Sequence, residues 1–177
     1  MTQNLIALED CHPSDLATFK KELQEAFALA VIDEFGDLPD GPIPSDAVLD
    51  EAIAAPGAVV LRIVQDGRNV GGAVVRIDRD TQHNSLDLFF VIASEHGRGL
   101  GLSAWFAIED SFPETVVWKT HTPYFEKRNI HFYVNKCGFR IVEFYNKYHS
   151  DPHRPTDQGE FPGDDDAFQF EKVMRTT

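Results

Sequence analysis

Three glycines at alternate positions, Gly97, Gly99 and Gly101, lie in the stretch EHGRGLGLSAWFAIED, residues 95–110, directly before an apolar, helix-like run. Glycine lets a backbone turn sharply and approach another group closely, and the free N–H groups of a helix N-terminus attract anions. The chemistry on offer is phosphate binding. Backbone N–H groups from about Arg98 through Leu102, at the positive end of a helix dipole, can receive phosphate oxygens where no β-carbon stands in the way. Spacing excludes two common nucleotide patterns: GxxxxGK[ST] is absent, and the three glycines do not make GxGxxG.

Proton transfer has several candidates. Asp87 lies in the apolar run SLDLFFVIA, where strict alternation places it opposite both Leu86 and Leu88, so that it could face a pocket as a general base. Glu95, His121 and His131 are further candidates. Cys137 precedes Gly138-Phe139 at a helix end and reads as packing. Cys11 and Cys137 have no metal-ligand spacing, and Pro152 breaks any helical pairing of His149, Asp151 and His153, so no metal is expected.

These residues need elements to position them. NLIALE (4–9) reads as a strand, and Ser14 or Asp15 can cap a helix over DLATFKKELQEAFALAVI. Its Leu16, Phe19, Leu23, Phe27 and Val31 recur at three- and four-residue steps and should face a sheet. FGDLPDGPIPSD breaks regular structure before Ser45 caps a short helix over DAVLDEAIAA. AVVLRIVQ and NVGGAVVRID flank Asp66-Gly67 as an antiparallel hairpin, and SLDLFFVIA (85–93) is the next strand. LSAWFAIEDSF is a helix, TVVWKT a strand, FEKRNIHFYVNK a helix, FRIVEFYNKY a strand and AFQFEKVM a closing strand, with HSDPHRPTDQGEFPGDDD an exposed excursion. The order is mixed α+β, with no internal repeat.

With 177 residues, a hydrophobic fraction of 42% and 14 Phe among its aromatics, the chain is expected to fold as a single domain over 1–177. Its formal net charge of -13, from 16 Lys plus Arg against 29 Asp plus Glu, disfavours nucleic acid and favours cationic ligands such as amines. Two distant cysteines suit a reducing cytoplasm. The N-terminus lacks a basic-then-apolar leader and no apolar stretch nears the ~20 residues of a span, so no membrane association is expected.

VIASEHGRGLG resembles the pyrophosphate-binding motif of the GNAT acyltransferase superfamily, [QR]-x-x-G-x-[GA]. His96, Gly97, Arg98, Gly99, Leu100 and Gly101 occupy its six positions, His96 replacing the usual Gln or Arg. Downstream, RNIHFYVNKCGF is similar to the asparagine-to-GF segment of the same superfamily's fourth helix and following strand. The two matches come in the family's order, and with the order of elements the resemblance covers roughly residues 4 to 174.

The resemblance implies a GNAT fold: a central mixed, mostly antiparallel sheet of about six to seven strands flanked by about four helices. It implies acetyl-CoA as cosubstrate in a V-shaped opening between the fourth and fifth strands. The pantetheine amides would pair with strand backbone near Phe90 and Val91, the pyrophosphate would meet His96 to Leu102, and Asn129 would contact the cofactor farther along. The implied reaction is direct acetyl transfer to a primary amine, of a small molecule or a protein, without a covalent enzyme intermediate. The implied acid is a fourth-helix tyrosine, with Tyr133 the nearest match and Tyr124 in reserve. Tyr133 stands five residues before Gly138 where the family's Y-x-x-x-G-F spacing has four, and one position rotates a helix by about 100°. A CoA-binding sensor with little transfer activity is the alternative. Acceptor loops are expected within 33–45 and 149–165, and the C-terminal strands offer apolar surface for a homodimer.

Overall fold

The computed structural model describes residues 5–36, 41–96, 99–152 and 166–175. Its elements run β1 (Ile6–Asp10), α1 (Leu16–Phe35), α2 (Asp46–Ala54), β2 (Ala58–Gln65), β3 (Arg68–Arg76), β4 (His83–Val91), α3 (Leu100–Ser111), β5 (Val117–Pro123), α4 (Lys127–His131, continued as a π-helix over Phe132–Cys137), β6 (Arg140–Tyr145) and β7 (Ala167–Val173). The strands form a seven-stranded sheet in the order β1-β2-β3-β4-β5-β7-β6. Every neighbouring pair is antiparallel except β4 and β5. The α+β class, the mixed sheet and the four flanking helices agree with expectation.

Local chemistry accounts for most boundaries. Ser45 accepts from the Val48 N–H as the cap of α2, and α1 ends on Gly36, whose φ of 82° is the left-handed turn that glycine adopts without a Cβ clash. Asp66 and Gly67 both have positive φ, the conformation of a two-residue hairpin whose twist matches its strands.

The core lies on both faces of the sheet. On one, Phe19 and Leu23 of α1 and Leu49 of α2 pack with Val74 and Phe90. On the other, Trp105 and Ile108 of α3 and Tyr133 and Cys137 of the fourth helix pack with Val75, Leu86, Trp118, Phe139 and Phe170. The rings of Phe19 and Phe90 meet edge-on, 5.3 Å apart, over Gly72, where an added Cβ would lie 2.3 Å from Phe19 and 2.8 Å from Phe90. Gly72→Ala is therefore expected to destabilise the fold by about 1–3 kcal/mol. Urea unfolding would show a lower midpoint at unchanged slope. An unchanged midpoint would mean that the two rings do not seat there.

Candidate functional site

The site begins where the sheet parts. β4 and β5 pair only over His83, Asn84 and Ser85 with Val117, Trp118 and Lys119, although both strands continue well beyond. The last tie is a side chain: the Thr120 hydroxyl donates to the Leu86 carbonyl at 2.9 Å, in a buried position. Past this point the two strands leave a V-shaped opening lined by backbone.

A β-bulge accompanies the parting. Val74 faces Leu88 and Val75 faces Leu86 across the β3–β4 ladder, so Asp87 is left unopposed. The bulge also resets the side-chain alternation. Leu86 joins the α3 side of the core and Leu88 the α1 side, so Asp87 falls opposite Leu86 but not opposite Leu88, correcting the strict alternation. Its carboxylate accepts from Arg76 Nε at 3.1 Å and from Ser85 Oγ at 2.7 Å, with the Arg76 ion pair closing to 2.8 Å. The carboxylate is thus engaged at the bulge by both the Arg76 guanidinium and the Ser85 hydroxyl.

Beyond the bulge, the Ile92 N–H donates to Val70 of the loop edge of β3. Alternation along an antiparallel strand then turns the backbone groups of Phe90 toward β3 and those of Phe89 and Val91 into the opening. Phe90 is thus a core residue in both side chain and backbone, and the groups an extended ligand can reach belong to Phe89 and Val91. One is already used: His96 Nε2–H donates to the Val91 carbonyl at 2.7 Å, folding the exposed imidazole back onto the strand end. The Val91 N–H remains directed into the V.

Gly97 and Arg98 lie outside the described residues. Gly99 caps α3 with φ 73°, in open space on its Cβ side. Leu100 is buried with Ile63, Val70 and Ala104, and Leu102 packs against the α3-side core, so both can offer a ligand only their amides. Gly101 faces the rings of Phe132 and Phe89, where a Cβ would make ordinary contact at 3.5 and 3.9 Å. Those two rings stack at 6.1 Å and wall the side of the opening below α3.

The fourth helix supplies the third side. Tyr133 is 6% exposed and packs among Phe132, Phe139 and Phe170. Burial, then the neighbouring Cys137 and Glu126, pushes its phenol above the ordinary tyrosine range, opposed by a hydrogen bond to Thr120. The phenol thereby lies near Thr120, the residue that makes the last tie between β4 and β5. The five-residue spacing to Gly138 is absorbed by the π-helix: the Gly138 and Phe139 N–H groups both reach back to the Tyr133 carbonyl. A π-turn holds one more residue than an α-turn, so the additional residue does not rotate Tyr133 away from the inner face. Asn129 is half-buried on the α4 turn before it.

Glu126, which falls in no sequence motif, is buried at the head of the fourth helix. It follows the turn that ends β5, with its N–H donating to the Pro123 carbonyl, and is 8% exposed. Desolvation raises its carboxyl to about 7, against the lowering influence of Arg128. Such a group costs stability as pH rises. Between the ordinary glutamate value and 7 the unfolded chain releases a proton that the folded chain keeps, so stability falls across that window and is flat above it. Glu126→Gln is expected to be more stable than the parent by on the order of 3 kcal/mol at pH 8, with the gain gone at pH 4.5. Urea denaturation at the two pH values measures it, and an equal effect at both would assign the change to packing.

The other candidates each have their own surroundings. Tyr124 is half-exposed and meets Phe168 and Phe144 at tilted ring angles, with Lys127 Nζ 5.7 Å from its ring centre. Glu95 pairs with Arg68 at 3.1 Å, and His131 Nδ1 is bonded by Asn135. His121 is exposed on β5. Cys137 is buried, its thiol pushed up to about 12 by desolvation, which makes it unreactive. His149 bonds Glu143 at 3.0 Å, while His153 lies outside the described residues, as do residues 37–40 and 153–165 of the two expected acceptor loops. Among the described residues, no group of three His, Cys, Asp or Glu could hold a metal and no helix is long and apolar enough to cross a membrane.

Known proteins share this architecture. A sequence profile described as Acetyltransferase (GNAT) family matches residues 20–139. The chain is 60% identical over 174 residues to the uncharacterized protein YrkN of Bacillus subtilis, covering 96% of this chain and 94% of that one. An IAA acetyltransferase from Bacillus cereus superposes with a TM-score of 0.67 at 16% identity, covering 96% of this chain and 100% of that one. A Bacillus subtilis acetyltransferase in complex with CoA does so with a TM-score of 0.65 at 16% identity, covering 96% and 98%. These structures share the fold, and the profile, spanning the V and the fourth helix, shows the lineage. The chain belongs to the acetyltransferase (GNAT) family and is, by that membership, an N-acetyltransferase.

Proposed function

We propose that the protein transfers the acetyl group of acetyl-CoA to a primary amine, and that the cofactor lies in the opening between β4 and β5. The observation that carries this reading is the parting of the two strands after three paired residues, with the glycine turn and the start of α3 at the open end of β4. The pantetheine amides pair with the cleft-facing groups of Phe89 and Val91, as an added strand would. The pyrophosphate sits on the amides of Gly97 through Leu102, and Asn129 contacts the cofactor farther along. The Val91 N–H meets the thioester carbonyl and stabilises the oxyanion. Tyr133 gives its proton to the departing thiolate. The CoA complex of the Bacillus subtilis acetyltransferase supports the choice of cosubstrate.

The acceptor is a cationic amine, in keeping with the net charge of -13. The free cysteines Cys11 and Cys137 suit the reducing cytoplasm. Half-exposed Ile141, Val142 and Phe144 on the edge strand β6 offer the surface for a homodimer.

Calorimetric titration of acetyl-CoA, followed by thiol release with a polyamine, an aminoglycoside and an amino-terminal peptide, tests the reading. Binding with thiol release on at least one amine is expected. Absence of binding at millimolar cofactor would overturn it. Binding without thiol release, indifferent to Tyr133→Phe, is the signature of a CoA-sensing module.

A further inference from the structure

Glu126 is the N-cap of the fourth helix, outside its helical backbone, and its carbonyl accepts from the Ile130 N–H at 3.1 Å. Ile130 and Tyr133 both pack on the sheet side, so their face of the helix is the inner one. Glu126 stands at the head of that helix, just past the end of β5. The residue before it points elsewhere: Phe125 packs against Val31 and Ile43 and meets the Phe35 ring of α1 at 5.1 Å. The turn from Pro123 to Glu126 therefore pins one side chain under α1, while the next, a carboxylate, is nearly buried and close enough to Tyr133 to act on its phenol.

Nothing structural recommends a carboxylate there. No hydrogen bond to its side chain is made by a described residue, although the residue is nearly buried, and desolvating a carboxylate costs stability. Its neighbours are few: Arg128 on its own helix is the charged group acting on it, Tyr133 is the other titratable neighbour, and the residues toward α1 are apolar. An acid within the fourth helix and a base at its head are then electrostatic neighbours. Asp87, the carboxylate that alternation suggested for the base, is already engaged by Arg76 and Ser85.

We propose that Glu126 is the proton acceptor of the reaction, taking the proton of the acceptor ammonium at the mouth of the V. The assignment rests on the acetyl-transfer reading above. The Glu126 carboxylate removes one proton from R–NH3+, and the freed amine attacks the thioester carbonyl. The C–N bond forms with the oxyanion on the Val91 N–H, and the C–S bond breaks as the oxyanion collapses. Tyr133 protonates the leaving thiolate and recovers a proton from the nitrogen of the new amide. Glu126 releases its own to solvent, so each turnover yields the amide, free CoA and one proton.

Two measurements on the full chain test this. In the first, carboxyl-labelled glutamate is followed by NMR as pH is varied, with Glu126→Gln identifying the resonance, with and without acetyl-CoA. A near-neutral midpoint that moves when acetyl-CoA binds is expected, because the cofactor excludes water from the carboxyl. A midpoint indifferent to bound acetyl-CoA would place Glu126 outside the cleft and overturn the proposal. Failure of acetyl-CoA to bind at all would overturn the underlying reading, and this proposal with it.

In the second, the pH profile of kcat is measured on whichever panel amine releases thiol. The parent should lose activity on the acid side of neutrality. Glu126→Gln should lower kcat by about 10²-fold or more and abolish that limb, with acetyl-CoA affinity kept, and Glu126→Asp should restore part of both. If Glu126→Gln keeps kcat and the acid limb while Asp87→Asn removes the limb, the proton acceptor is Asp87. Panel-wide failure to release thiol despite acetyl-CoA binding counts against catalysis, and hence against a proton acceptor.

Discussion

Tyr133→Phe is expected to lower kcat by about 10²–10⁴-fold, the usual worth of a positioned acid, while leaving acetyl-CoA affinity nearly unchanged. The substitution removes one oxygen. The ring keeps its contacts with Phe132, Phe139 and Phe170, and Thr120 keeps its own bond to the Leu86 carbonyl, so the apex of the V should survive. Burial holds the phenol above the ordinary tyrosine range. It therefore remains protonated through mildly alkaline pH, and the parent should show no alkaline loss of kcat from this group below the ordinary tyrosine value. The comparison requires circular dichroism and urea unfolding of both proteins, then kcat and KM on the same amine. An unchanged kcat in a folded variant would make Tyr133 a core residue and leave thiolate protonation to water.

Gly99 carries the other large effect. Gly99→Asp should weaken acetyl-CoA binding by roughly two to three orders of magnitude relative to Gly99→Asn, because about 4 kcal/mol separates two unit charges brought to 4 Å near a protein surface. The pair isolates charge. Asn and Asp are nearly isosteric, and both tolerate the left-handed φ of 73° better than other side chains. With no phosphate at the turn the two variants would bind cofactor equally, and the charge of Asp at the start of α3 would show only in stability, where it favours the helix. Calorimetry for affinity and thermal melting for stability read the two effects separately.

What a short stretch of sequence can specify by itself, this sequence does specify. The cap at Ser45, the hairpin turn at Asp66-Gly67 and the amphipathic face of α1 follow from side-chain oxygens, positive φ and periodicity within a few residues. The order of elements and the glycine turn were legible for the same reason, and they point to the family that the sequence profile bears out. Features requiring two distant segments were not legible. Alternation along SLDLFFVIA cannot register the bulge at Asp87, because it arises in the pairing of β4 with β3. The Arg76 partner that occupies the Asp87 carboxylate comes from the neighbouring strand.

The spacing from Tyr133 to Gly138 was visible as one residue too many, but its consequence depended on whether the helix rotated or widened. Packing decided that: Tyr133 and Cys137 both stay buried, and the backbone takes a π-turn to keep them so. Glu126 carries no motif at all. A glutamate before a helix is an ordinary surface residue until a turn at Pro123, an apolar anchor at Phe125 and the start of α4 together remove its water. Residue type and local spacing determined the elements, the glycine turn and the family. Which carboxylate is paired and which is desolvated was decided only by tertiary structure, because proton affinity depends on neighbours and solvent that the folded chain alone brings together.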